Sequence, residues 1–75
     1  MLEKQYGTVV WFNEKKGWGF CKPDEGNIDL FVHWTNIVGE EGQFKTLVSG
    51  QRVAFIVGAN KNGPQAEQIE IIEED

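Results

Sequence analysis

Seventy-five residues with seven basic and twelve acidic side chains, a net charge of −5 and a single cysteine leave room for one small domain. One cysteine excludes a disulfide framework, and no apolar run approaches the roughly 20 residues that cross a bilayer. The first five residues lack the apolar centre of a secretory signal, so the expected setting is the cytoplasm, with Cys21 a small buried core residue.

Residues 6–13 read as the first strand, because Val9, Val10, Trp11 and Phe12 follow a threonine in a β-branched and aromatic run. Asn13-Glu14-Lys15-Lys16-Gly17 is a polar turn, and a second strand follows through Cys21 or Lys22. Pro23-Asp24-Glu25-Gly26-Asn27 is dense turn chemistry, since Pro presets φ and Gly permits positive φ. Residues 28–33 form the third strand, and 34–37 a short helical turn that delivers Ile37 to the core. After a long irregular stretch over 38–49, the fourth strand is expected at 51–57, a loop at 58–64 and the last strand at 65–72. Five short strands with no long helix predict an all-β, five-stranded antiparallel barrel, closed or nearly so because open edges invite unwanted pairing. One domain spans 1–75, with its core over about 6–72 and an acidic tail at 73–75.

Side chains alternate between the faces of a strand. Lys16, Trp18, Phe20 and Lys22 therefore share one face, and Gly17, Gly19, Cys21 and Pro23 the other. Burying the first set would strand two lysines in the core, which is costly without partners. Exposed, the set is a surface of flat rings bracketed by cations, suited to nucleic-acid bases on a phosphate backbone. The glycines let another layer approach the reverse side. Asp29, Phe31 and His33 repeat the arrangement on the third strand, where the imidazole can stack or donate a hydrogen bond to a base or phosphate.

Alternation leaves Trp11 and Trp34 open. Trp34 stands where the chain turns, and Trp11 shares parity with Val9, so a bulge is needed to bring it out beside Trp18. Phe44 reads as a loop anchor on the barrel or as an added stacking ring, and Lys61 as a phosphate contact or a solvated charge. One histidine and one cysteine do not make a zinc site, so neither a metal nor a cofactor is expected. The sum of charges runs against nucleic acid, but Lys15, Lys16 and Lys22 flank the aromatic face while the acids gather in turns and the tail. Such a layout relies on stacking more than on phosphate neutralisation, and its affinity should fall gently with salt.

Lys16-Gly17-Trp18-Gly19-Phe20, followed by Phe31-Val32-His33-Trp34, resembles the two ribonucleoprotein motifs of the bacterial cold-shock protein family. The resemblance runs from about residue 6 to 72, including Val10-Trp11-Phe12-Asn13 before the first motif and Gly63-Pro64-Gln65-Ala66 near the end. It implies an oligonucleotide-binding barrel whose ligand face lies on the second and third strands. It further implies single-stranded RNA and DNA as partners, low sequence specificity, and an RNA chaperone active in cold adaptation, transcription and translation. A monomer is the expected state, with strand exchange between barrels as the route to a dimer.

The same resemblance puts Trp11 and Trp34 on the platform with Lys16, Trp18, Phe20, Phe31 and His33, and Phe44 extends it. Asn13, Lys22 and Lys61 are candidates for additional contacts. The chain departs from the family's usual pattern at Val10, where a lysine is common, and at Trp18 and Trp34, where phenylalanine is. The segment at 60–62 is one residue longer than usual. The rival expectation is a barrel whose aromatic patch receives a protein partner. An enzyme is not expected, for want of a Gly-x-x-x-x-Gly-Lys phosphate loop or a metal cluster.

Overall fold

An odd number of strands cannot alternate in direction all the way round a closed ring. In the computed structural model, which describes residues 3–38, 46–61 and 63–72, five strands form such a ring. They are β1 (Lys4–Asn13), β2 (Trp18–Pro23), β3 (Leu30–His33), β4 (Arg52–Asn60) and β5 (Gly63–Ile71), closed in the order β1-β2-β3-β5-β4. β1 runs antiparallel to β2 and β4, β2 to β3, and β4 to β5. β3 and β5 are thereby left pointing the same way, and they meet in a parallel contact between Phe31 and Gln65. Ile37 bridges Ile69 just beyond it, also in parallel. The all-β, five-stranded barrel is the one the sequence predicts. Its one parallel seam is the geometric consequence of closing five strands.

The elements fall close to their expected places, with one displaced loop. β4 does not stop at Val57 but continues through Gly58 and Ala59 to Asn60, paired rung by rung with residues 63–66 of β5. Glycine and asparagine are poor strand formers in isolation, but ladder hydrogen bonds and the neighbouring strand override that preference. After β3, a single 3-10 turn (Trp34–Asn36) ends with the Ile37 N–H donating to the Trp34 carbonyl at 3.1 Å, which drops Ile37 into the core as expected.

The interior follows the period of two. Gly19, Cys21 and Pro23 of β2 are buried, and so are Leu30 and Val32 of β3. Phe55 of β4 and Ile69 of β5 lie fully inside. Burial pushes the Cys21 thiol up to about 11, which keeps it protonated and inert at neutral pH. β5 keeps the pattern only by slipping: Ala66 and Ile69 both face inward at an odd spacing because a bulge opposite Phe55 adds a residue, with Gln68 at φ 48. Ile71, two residues beyond Ile69 and paired with the buried Val53, is nonetheless exposed. No helix among the described residues is long and apolar enough to cross a membrane.

Candidate nucleic-acid interface

The bulge that alternation requires at Trp11 is present. Val9 pairs with Cys21 and Trp11 with Phe20, so Val10 is an extra residue between two rungs. Val9 points inward, Val10 and Trp11 both point out, and Phe12 turns back against the core. The inserted residue also increases local twist. Trp11 is thus 40% exposed, and its ring centroid lies 5.0 Å from that of Trp18 in an edge-to-face contact.

From there the rings run without a break. Trp11 is 5.6 Å from Phe20, and Trp18 and Phe20 are each 6.1 Å from Phe31. Phe31 is 6.2 Å from His33, and His33 is 5.9 Å from Trp34. Strand register produces this order: the rungs Trp11–Phe20, Phe20–Phe31 and Trp18–His33 each set two outward rings side by side on neighbouring strands. Trp18, Phe31, His33 and Trp34 are also similarly oriented, with 27° to 34° between successive planes. The β2 and β3 rings and His33 are half-buried, and Trp11 and Trp34 are exposed. The result is a contiguous aromatic surface on the outside of the barrel.

His33 ends β3 and caps the 3-10 turn. Its Nδ1 accepts from the Thr35 N–H at 3.3 Å and lies 2.8 Å from the Thr35 hydroxyl. With Nδ1 committed as an acceptor, the neutral ring carries its proton on Nε2, where it is a donor. Trp34 folds back over Gly17, whose missing side chain leaves room for the indole. Gly19 serves the opposite face, since a Cβ there would strike the Trp11 carbonyl of β1.

Lys16, Lys22 and Lys61 are exposed, as is Lys15, and none has a carboxylate within ion-pair distance among the described residues. The paired cations lie elsewhere, Lys4 with Glu70 and Arg52 with Asp24, each at 2.7 Å. Asn13 is half-buried, and its side-chain oxygen accepts from the Lys16 N–H at 3.0 Å, which ties the β1–β2 turn. Phe44 lies outside the described residues. Asp29, which alternation sets on the face of Phe31, joins Asn60 and Pro64, which sequence reasoning did not single out, in lining with Phe20 and Phe31 a cleft of about 160 Å³ at the edge of the rings. Asn60 and Pro64 carried no such signal, because their proximity depends on the long-range β3–β5 seam.

The 'Cold-shock' DNA-binding domain family matches this chain over residues 5–72. The cold shock-like protein CspA of Vibrio cholerae is 54% identical over 69 residues, which cover 92% of this chain and 96% of that protein. The major cold shock protein CspA of Pseudomonas aeruginosa is 46% identical over 72 residues, 96% of this chain and all (100%) of that one. The cold shock-like protein of Thermotoga maritima is 49% identical over 67 residues, 89% of this chain and 97% of that one. A solved structure of drosophila Unr CSD456 superposes on 99% of this chain with a TM-score of 0.77 at 22% identity, a likeness of fold in which this chain spans 29% of the other's length. With the ribonucleoprotein motifs side by side on β2 and β3 of a closed five-stranded barrel, the chain belongs to the cold-shock DNA-binding domain family.

Proposed function

We propose that the protein binds single-stranded RNA and DNA by stacking unpaired bases on Trp11, Trp18, Phe20, Phe31, His33 and Trp34, with Phe44 as a further ring. The observation that carries this reading is the unbroken contact of six outward rings over a β2 face whose other side is glycine and cysteine. A cluster built for the core would face inward. Lys16, Lys22 and Lys61 supply phosphate contacts at its margins, and the His33 Nε2 proton can serve a base or a phosphate.

Stacking is worth roughly 1–3 kcal/mol per base and tolerates any base, so three or four stacked bases sustain micromolar or tighter binding with little sequence preference. Bases in a duplex are already stacked on one another. A platform that takes only unpaired strands therefore draws hairpins towards the melted form by mass action, with no nucleotide hydrolysis. That is the work of an RNA chaperone, most useful in the cold, where RNA secondary structure is too stable, and it bears on transcription and translation. The reading places a monomer in the cytoplasm.

The test is titration with a short oligothymidine, following tryptophan fluorescence at two salt concentrations. Strong quenching is expected, with log K falling against log salt by a slope no steeper than about −3, the limit for four lysines on a single strand. A steeper slope would require cations beyond these four and would make charge, rather than stacking, the main source of affinity. Absence of quenching at low salt would overturn nucleic-acid binding and leave the aromatic surface to a protein partner.

A further inference from the structure

The bulge that turns Trp11 outward is held from a distant part of the chain. The β1–β4 ladder ends at the Thr8–Arg52 rung. Beyond it, residues 48–51 take over as the neighbour of β1. The Val9 N–H donates to the Gln51 carbonyl at 2.9 Å, and the Gly50 N–H donates to the Val9 carbonyl at 2.8 Å. The next carbonyl along, that of Val10, accepts from the Ser49 hydroxyl at 2.7 Å. The turn that offers this hydroxyl is itself closed twice. The Gln51 N–H donates to the Val48 carbonyl at 3.0 Å, and the Val48 N–H to the Gln51 side-chain oxygen at 3.0 Å.

Val10 has no rung on β2, so its carbonyl is the group that a bulge takes out of the regular ladder. We infer that Ser49 is a positioning residue for Trp11: its hydroxyl caps the bulged Val10 carbonyl and holds the register slip that sets Trp11 against Trp18 and Phe20. This rests on Trp11 belonging to the binding surface, and it makes residues 48–51 part of the site without touching nucleic acid. Removing the hydroxyl frees the bulge to relax towards plain alternation, in which Trp11 would compete for the inward side of Val9. Ser49→Thr keeps the hydroxyl and the contact.

Two measurements on the intact chain test this. The first needs no ligand: the Trp11–Trp18 pair, at 5.0 Å and 67°, should give an exciton couplet in circular dichroism. That couplet should shrink in Ser49→Ala and persist in Ser49→Thr. The second is oligothymidine affinity, which Ser49→Ala should lower about threefold to tenfold, the range for loss of one neutral hydrogen bond. In a Trp11→Ala background the same substitution should change nothing further, because the two residues act through one ring. An unchanged couplet in Ser49→Ala, or an equal loss of affinity in both backgrounds, overturns the inference. Wild-type affinity in Trp11→Ala would instead remove Trp11 from the platform, an outcome kept separate because the couplet reports ring placement alone.

Discussion

The bare α-carbon of Gly17 is the floor on which the indole of Trp34 rests. A Cβ built there would run into Trp34 Cδ1 and lie 3.2 Å from Cγ, while the Gly17 carbonyl takes the Trp34 N–H at 2.8 Å. Gly17 also sits at φ +78, so the turn before β2 and the ring after β3 depend on the same missing side chain. Gly17→Ala should cost about 1–2 kcal/mol of stability from the left-handed backbone alone. It should also lift the indole and weaken oligothymidine binding as much as Trp34→Ala does. Denaturant unfolding and titration of both variants check this. Binding of Gly17→Ala at wild-type strength would mean that Trp34 does not meet the strand.

Trp18 and Phe31 lie at the centre of the ring array, 6.1 Å apart with 29° between their planes. Truncating either to alanine should cost about 1–3 kcal/mol of binding with the barrel intact, because both side chains lie on the outer face. The double variant should lose less than the sum, since neighbours in contact couple. Near-wild-type affinity in a folded single variant would take that ring out of the platform.

Alternation was enough to read the two faces of β2 and β3, because each strand is short and unbulged. It placed Trp18, Phe20, Phe31 and His33 outside and Cys21, Leu30 and Val32 inside, as the barrel has them. Where a bulge intervenes, parity fails. Trp11 needed a slip that no local residue signals, since the donor that caps it, Ser49, is 39 positions away. On β5 the bulge at Gln68 brings Ala66 and Ile69, three residues apart, to the same inner face, where plain alternation would set them on opposite ones. The parallel seam between Phe31 and Gln65 was likewise invisible to local pattern, although it follows once five strands are required to close.

Gln68 is the only non-glycine at positive φ among the described residues, at 48, and it is exposed. A side chain there costs roughly 1 kcal/mol or more, which glycine does not incur. Gln68→Gly should therefore leave stability unchanged or raise it by up to about 1 kcal/mol, whereas Gln68→Val, stiff at Cβ, should lower it. Midpoints of urea unfolding for the pair decide the matter. A valine that is tolerated as well as glycine would mean that the bulge relaxes.

Asp24 and Arg52 are joined through two hydrogen bonds of 2.7 Å, and the guanidinium also reaches the Thr8 hydroxyl at 3.0 Å. The hydrogen bond from Arg52 is the main cause that holds the Asp24 carboxyl below its usual range; desolvation opposes it, and the Arg52 charge adds the smallest contribution. A carboxyl lowered in the folded state binds its proton more readily when unfolded. Its stabilising contribution is thus full above the unfolded value near 3.8 and is lost as pH falls through the folded one. The pair is exposed to solvent, so the effect should be small. Asp24→Asn should lower neutral stability slightly and flatten the acid limb of a stability profile below pH ~4 by the same small amount. An acid limb identical in both proteins would assign the loss to other carboxylates.

Val10 is the natural place to change how the protein depends on salt. It projects from the bulge at 41% exposure, directly before Trp11, and it offers Ser49 only its backbone carbonyl. Val10→Lys therefore keeps the capping contact and should change stability by less than about 0.5 kcal/mol, as exposed substitutions do. It adds a cation beside the first ring of the array. If a strand crosses Trp11, one more phosphate is neutralised, and the slope of log K against log salt should steepen by about 0.7. Affinity at low salt should rise with it, and the two curves should converge as salt screens the added charge. Titrations of both proteins across a salt series give the slopes directly. An unchanged slope would show that position 10 faces away from the strand, and would move the path of the backbone to the far side of Trp11.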